Sequence, residues 1–284
     1  MGPANSNADE IAYWNEDAGP RWVEQNERLD AQLGPIGEVA LDRAKLEAGQ
    51  RVLDVGCGCG GSTLEIARRV GVAGHVEGVD VSKVMLDRAR ERADGAGLGN
   101  IRFRQVDAQA QLFEEGSFDR AFSRFGVMFF TDPVAALGNV RRALPPEGRL
   151  TFVCWASLEE NRWIALPLEA AGKHVELPER KDEHQPGPFS LARRERVLEI
   201  LEAAGFTDPA CGRLDGTLLL GGPGSLDAAV EFIQHVGPTA IALVGASAPA
   251  KRAAVAEVRR ALEPFVGSDG VRLPYRAWIV TAAR

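Results

Sequence analysis

The residues best suited to chemistry gather in "VLDVGCGCGGST", residues 52–63, which holds Asp54, four glycines and two cysteines. Two more carboxylates, Asp80 and Asp107, close the later runs "GVD" and "VDA". Glycine lets the backbone approach a ligand closely, and a loop that opens a helix turns free amides toward it. Two ligand chemistries compete for this loop. Gly56-x-Gly58-x-x-Gly61 fits a dinucleotide fingerprint, with Asp80 as ribose acceptor. Asp54-x-Gly56-x-Gly58-x-Gly60 also fits and accounts for Asp54. A buried anion repels a pyrophosphate but suits a cationic amino-acid ammonium. The cysteines raise a third option, a metal or redox centre. Cys57-x-Cys59 has only the distant Cys154 and Cys211 for company. That is not the paired spacing of a zinc site, so no metal is expected. Three histidines (His174, His184, His235) and Arg124 are weak catalytic candidates, since a lone histidine is more often exposed or core than catalytic.

These residues need a scaffold. From residue 51, short β runs alternate with helical runs. "RVLDVG", "HVEGVDV", "IRFRQVDA", part of "FDRAFSRFGVMFF" and "GRLTFVCWA" read as strands. The helices between them are expected to start at Ser62, Ser82 and Pro133, with Gly71 ending the first. Repeated β-α units of this kind form a parallel sheet wrapped by helices. Ahead of them, residues 1 to about 9 read as disordered. A helical stretch with Tyr13, Trp14 and Trp22 follows, and Gly34-Pro35 is expected to break it. The expected segments are 1–49 (N-terminal helical lid), 50–155 (core), 156–188 (lid insertion), 189–221 (core helix and strand), 222–270 (helical lid insertion) and 271–284 (last strand).

Composition narrows the class. The chain has 284 residues, 45% of them hydrophobic, and a net charge of -7. An acidic chain with scattered arginines is a poor partner for nucleic acid or an anionic membrane. No apolar run nears the about 18 residues of a membrane span. "MGPANSNADE" has neither the basic nor the apolar part of a signal peptide, so a cytoplasmic protein with reduced thiols is expected.

The pieces "VLDVGCGCG", "GVDVSKVML", "VDAQ", "FDRAFSRFGVMFF" and "RRALPPEGRLTF" occur in that order over roughly residues 51 to 155. Here the chain resembles the class I S-adenosylmethionine (SAM)-dependent methyltransferases, in the small-molecule branch near the ubiquinone/menaquinone-type enzymes. The resemblance implies an α/β, Rossmann-like doubly wound fold. Its seven-stranded sheet is mostly parallel, with an antiparallel last strand and helical lid insertions. It implies that Gly56, Gly58 and Gly60 approach the methionine part of SAM and that Asp54 orients its ammonium. Asp80 would hold both ribose hydroxyls, and Val81 and Met85 would flank the adenine. Asp107 and the Ala108 amide would read the adenine edge, and the Ser123 carbonyl would take the ammonium. A lid carrying Tyr13 and Trp22 would close over the cofactor. Blander roles exist beside these: strand-end caps for Asp54 and Asp80, helix core for Met85, a surface ion pair for Arg124. Asp119 reads as structural.

"SRFG" after the fourth strand lacks the Pro-Pro-aromatic motif of DNA and glutamine-amide methyltransferases. A small, largely apolar methyl acceptor is the expected substrate, with residues 228–246 offering an apolar wall. An NAD-dependent oxidoreductase and a non-catalytic SAM-binding regulator are the alternatives.

Overall fold

A computed structural model describes residues 7–179, 182 and 184–284; the expected disorder of the first residues lies outside them up to position 6. Ala8 and Asp9 already belong to helix α1 (Ala8–Ala12). A π-helical turn (Tyr13–Asp17) leads into α2 (Ala18–Glu24) and α3 (Asn26–Ala44). Then come β1 (Arg51–Val55), α4 (Gly61–Val70), β2 (His75–Asp80), α5 (Lys83–Gly95), β3 (Ile101–Gln105) and β4 (Arg120–Arg124). Helix α6 (Pro133–Ala143), β5 (Arg149–Trp155), α7 (Arg162–Ala171), α8 (Arg194–Ala203) and β6 (Thr207–Leu219) follow. The last part holds α9 (Leu226–Phe232), α10 (Pro238–Leu243), α11 (Ala248–Leu262), β7 (Val266–Gly267) and β8 (Gly270–Ala283).

The sheet runs β3-β2-β1-β4-β5-β8-β6. Strands β1 to β5 are parallel, and β8 lies antiparallel between β5 and β6. The seven expected strands form this path, and the two-residue β7, hairpinned to β8, adds an eighth. The inner strands are buried on both faces, which is why their sequences are near-continuous apolar runs. The chain turns back between β3 and β4, so β1 and β4 become neighbours whose following loops diverge. In open α/β sheets that divergence leaves a crevice beyond the strand ends.

Two local expectations are overturned. Helix α3 runs unbroken through Gly34-Pro35. A proline inside a helix costs about 3 kcal/mol, but α3 buries Leu29, Leu33, Ile36, Ala40 and Leu41 on the sheet. Burial at about 1.5–3 kcal/mol per large side chain outweighs that cost. The chain breaks instead at Gln25, before α3. Nor does Ser62 cap α4. Gly60 does so with a left-handed φ of 81°, and Ser62 Oγ hydrogen-bonds Asp54 instead. Ser82 does cap α5, accepting from the Met85 amide.

Candidate active site

A large cleft lies beyond the C-terminal ends of β1 to β4, with about 1040 Å³ of free space including its mouth. Its floor is the glycine loop. Gly56 and Gly58 hold left-handed φ values of 67° and 55°. A Cβ on Gly56 would stand 2.8 Å from the Gly126 backbone, and one on Gly58 would stand 2.9 Å from Met85 Cε. Backbone blocks a larger residue at Gly56, and at Gly58 the left-handed φ strains one.

The carboxylates are held by the loops they serve. Asp54 is fully buried. Its Oδ2 accepts from Ser62 (2.8 Å) and Thr63 (2.6 Å), while Oδ1 is enclosed with no partner. Burial pushes its carboxyl up to about 6. Asp80 Oδ2 accepts the Gly58 amide and Oδ1 the Ser82 amide, each at 2.8 Å. Burial raises its pKa as well, against those two amides. Each oxygen keeps a second lone pair. Asp107 Oδ1 accepts the Gln109 amide at 2.9 Å, a turn that fixes its carboxyl at the cleft.

The opposite wall is aromatic. Trp14 meets Trp22 (5.5 Å between centroids) and Phe129 (4.9 Å) edge to face, and all three line the cleft. The N-terminal segment is pinned where β2 ends. The Trp14 carbonyl accepts from Ser82 Oγ (2.7 Å), and Asn15 both donates to the Val81 carbonyl (3.1 Å) and accepts the Lys83 amide (2.9 Å). A Cβ on Gly19 would stand 2.0 Å from the Trp14 carbonyl, so glycine permits the widened turn there. After β4, Phe125 holds a left-handed φ of 61°, strained for a bulky residue, and stacks on Trp155 at 4.0 Å.

Of the residues expected at the site, Gly56, Gly58, Asp80, Val81, Met85, Asp107, Ala108, Trp22 and Arg124 line this cleft. Others do not. Gly60 turns inward, where a Cβ would meet Ala89, Leu64 and Phe103, so it serves helix packing. Ser123 is buried, and its hydroxyl accepts the Gly126 amide. Asp54 sits one layer below the surface. Tyr13 lies outside the cleft, in a small pocket with Arg21, Trp22 and His235. His174 and His184 are exposed, and His184 sits 2.9 Å from Arg196. No histidine lines the cleft among the described residues: His174, His184 and His235 stand on segments outside its lining, and His75 opens β2 at the end away from it.

The same holds for residues 156–270. None of the described ones lines the cleft. The wall expected from 228–246 instead braces the N-terminal helices from behind. Arg28 of α3 donates to the Gly221 carbonyl (3.1 Å), also reaches the Ala228 carbonyl, and stands over the Phe232 ring at 5.1 Å.

Sequence reasoning missed Asp30, Asn26 and Leu29 of α3, all at the cleft. The available signal was one stripe at helical spacing (Asn26, Asp30, Leu33, Gly37) that mixes polar and small residues on a buried face. Asp30 is gripped by Arg124 (Oδ1, 2.7 Å) and Arg92 (Oδ2, 2.6 Å). Burial alone would raise its pKa, but the two guanidiniums hold it below the usual carboxylate range.

All four cysteines are free and buried. Burial pushes Cys59 up to about 12 and Cys57 well above the usual thiol range, so neither is a thiolate at neutral pH. No cluster of metal-ligating side chains occurs among the described residues. Carboxylates dominate the cleft: Glu10, Asp30, Asp80 and Asp107 line it against one basic side chain, Arg124. That balance suits a cationic ligand and opposes a pyrophosphate. The enclosed Asp54 Oδ1, the glycine cradle and these carboxylates therefore fit SAM and disfavour NAD.

Residues 52–148 match the family model described as a methyltransferase domain. An aklanonic acid methyltransferase from Streptomyces is 36% identical over 183 residues, covering 61% of this chain and 81% of that enzyme. A ubiquinone/menaquinone biosynthesis C-methyltransferase from Escherichia coli is 35% identical over 166 residues, covering 58% of this chain and 64% of that enzyme. Among solved structures, the phosphoethanolamine N-methyltransferase 2 of Haemonchus contortus, bound to phosphomonomethylethanolamine and S-adenosylhomocysteine, superposes with a TM-score of 0.60. It is 19% identical, and the match covers 99% of this chain and 61% of that one. Fold, site and relatives together define a SAM-binding enzyme of the Rossmann-like class. The chain belongs to the SAM-dependent small-molecule methyltransferases.

Proposed function

We propose that this enzyme methylates a small, largely apolar acceptor held against the aromatic wall. The observation that carries this reading is the wall itself. Trp14, Trp22, Phe125, Phe129, Leu29 and Leu33 share one cleft with the glycine loop, so an apolar guest and the cofactor can meet there. Two relatives are named for aklanonic acid and for ubiquinone/menaquinone biosynthesis. Those names support a small organic acceptor here.

When bound, SAM supplies an electrophilic methyl group on a sulfonium. The protein's share is placement. Gly56 and Gly58 let the loop close on the methionine end, and Asp54 below it offers an unpaired oxygen toward an ammonium. Asp80 keeps free lone pairs for ribose hydroxyls, while Asp107 and Ala108 stand at the adenine end with Val81 and Met85 beside the base. The helices from Ala8 to Glu24 act as a lid. They exclude water, which would otherwise screen the charged site. With no histidine at the cleft among the described residues, alignment of acceptor and methyl supplies the acceleration. A cytoplasmic setting belongs to the same proposal, supported by four unpaired cysteines. No described helix is long and apolar enough to cross a membrane.

A radiolabelled methyl screen tests this reading. The panel holds quinols, phenols, aromatic carboxylic acids, amines, RNA and protein. Label should pass to an aromatic or otherwise apolar small molecule. Label only in RNA, protein or hydrophilic amines would overturn it.

A further inference from the structure

The cofactor carries a carboxylate on its methionine end, and the cleft is otherwise lined with acids. Among the described residues lining it, Arg124 is the one cation. Its place is set by packing on two glycines. A Cβ on Gly37 would stand 2.9 Å from Arg124 Cδ, and one on Gly61 would stand 2.8 Å from Nη2. The guanidinium is therefore laid across the start of α4, above the glycine loop. Only 15% of the Arg124 side chain is exposed.

Its single hydrogen bond, from Nη2 to Asp30, leaves most of the fork unused. A guanidinium has five N–H donors and takes carboxylates two bonds at a time. Asp30 does not depend on Arg124 alone. Its other oxygen is held by Arg92, which also donates to the Cys59 carbonyl at 2.7 Å and so ties Asp30 to the loop. Asp30 thus fixes Arg124 without saturating it.

We propose that Arg124 is the clamp for the methionine carboxylate of SAM, with Asp30 and Arg92 as the residues that position it. This replaces the surface ion pair and the catalytic role as accounts of Arg124. The inference concerns the cofactor alone and stands whatever the methyl acceptor is.

The test deletes one partner on each side of the contact. Calorimetry would measure S-adenosylhomocysteine and its decarboxylated analogue, which lacks only the carboxylate, against the full chain. The intact protein should prefer S-adenosylhomocysteine by about 10- to 100-fold, the range of a hydrogen bond to a charged group. In Arg124→Gln that preference should shrink to within about twofold, with the analogue binding both proteins alike. Arg124→Lys keeps the charge but not the fork and should fall between them. Loss of affinity for both ligands in equal proportion would assign Arg124 a merely structural role and overturn the clamp. So would an intact protein that does not distinguish the two ligands, a result that needs no folded variant.

Discussion

The glycine-loop side of the cleft and its aromatic side are built from different materials. On the loop side, the groups facing the ligand are backbone or are held by backbone: Gly56, Gly58, and the carboxyls of Asp80 and Asp107 bonded to main-chain amides. Adjacent parallel strands position them. On the aromatic side, the groups are large side chains from separate segments: Trp14 and Trp22 before the sheet, Leu29 and Leu33 on α3, Phe125 and Phe129 after β4. The first side depends on one topological feature, the divergence of the chain at β1 and β4. The second depends on three segments docking correctly. A loop made of backbone tolerates few changes at any position, and so suits a constant cofactor. A wall of side chains can change residue by residue, and so suits acceptors that differ between enzymes.

The strongest way to break the loop side is Asp80→Ala. It removes the proposed ribose contacts and also frees the Gly58 and Ser82 amides. Calorimetry should show S-adenosylhomocysteine affinity falling by about 2–4 kcal/mol. Affinity equal to the parent protein would mean that Asp80 is only a strand-end cap.

Removing residues 1–24 attacks the aromatic side and also cuts the Trp14 and Asn15 contacts to the end of β2. If the two sides are independent, the sheet still unfolds in one cooperative transition. Turnover should vanish, and affinity should drop by about 1–2 kcal/mol with the loss of Trp14 and Trp22. Normal turnover in the shortened chain would reduce the lid to a docked helix. Hydrogen exchange sharpens the same point: the amides of Trp14 and Trp22 should slow on adding S-adenosylhomocysteine.

The smallest expected effect is a pH dependence on the loop side. Asp54 titrates at about 6, raised by burial. A cationic ammonium nearby favours the ionised form. Cofactor affinity should therefore rise as pH rises through 6, by at most about tenfold per pH unit below that value. The stability of the ligand-free protein should move oppositely. Its folded-state carboxyl holds a proton that the unfolded one gives up near the usual 3.8, so stability falls as pH climbs from about 4 past 6. In Asp54→Asn, both slopes from this group should disappear. A parent protein whose affinity is flat between pH 5 and 7 would separate Asp54 from the ammonium.

Much of the loop side was legible in sequence because local rules govern it. Asp80 and Asp107 follow short β runs, and a glycine at a left-handed φ announces itself by residue type. Even there, Gly60 and Gly61 could not be told apart by type. Both are glycines, yet one faces Ala89 and Phe103 while the other lies under Asp30 and Arg124. No local signal sets Asp30 apart from the other charges of its helix, since what makes it special is an arginine 94 residues away. The histidines misled for the opposite reason. Their chemistry is legible from residue type, but their distance from the cleft is not.

By itself, the amino-acid sequence determined the order of strands and helices, the glycine loop and the carboxylates that follow the strands. These are short-range matters: alternation of apolar runs, caps, and backbone angles open only to glycine. Tertiary structure alone decided that α3 passes through Gly34-Pro35, because the burial that offsets the proline comes from the sheet. It alone kept residues 222–270 out of the cleft lining and set Ala228 and Phe232 against Arg28 of α3. It alone joined Asp30, Arg92 and Arg124 across three elements. An ion pair between distant segments needs the whole chain folded before its partners exist, so no local pattern can encode it.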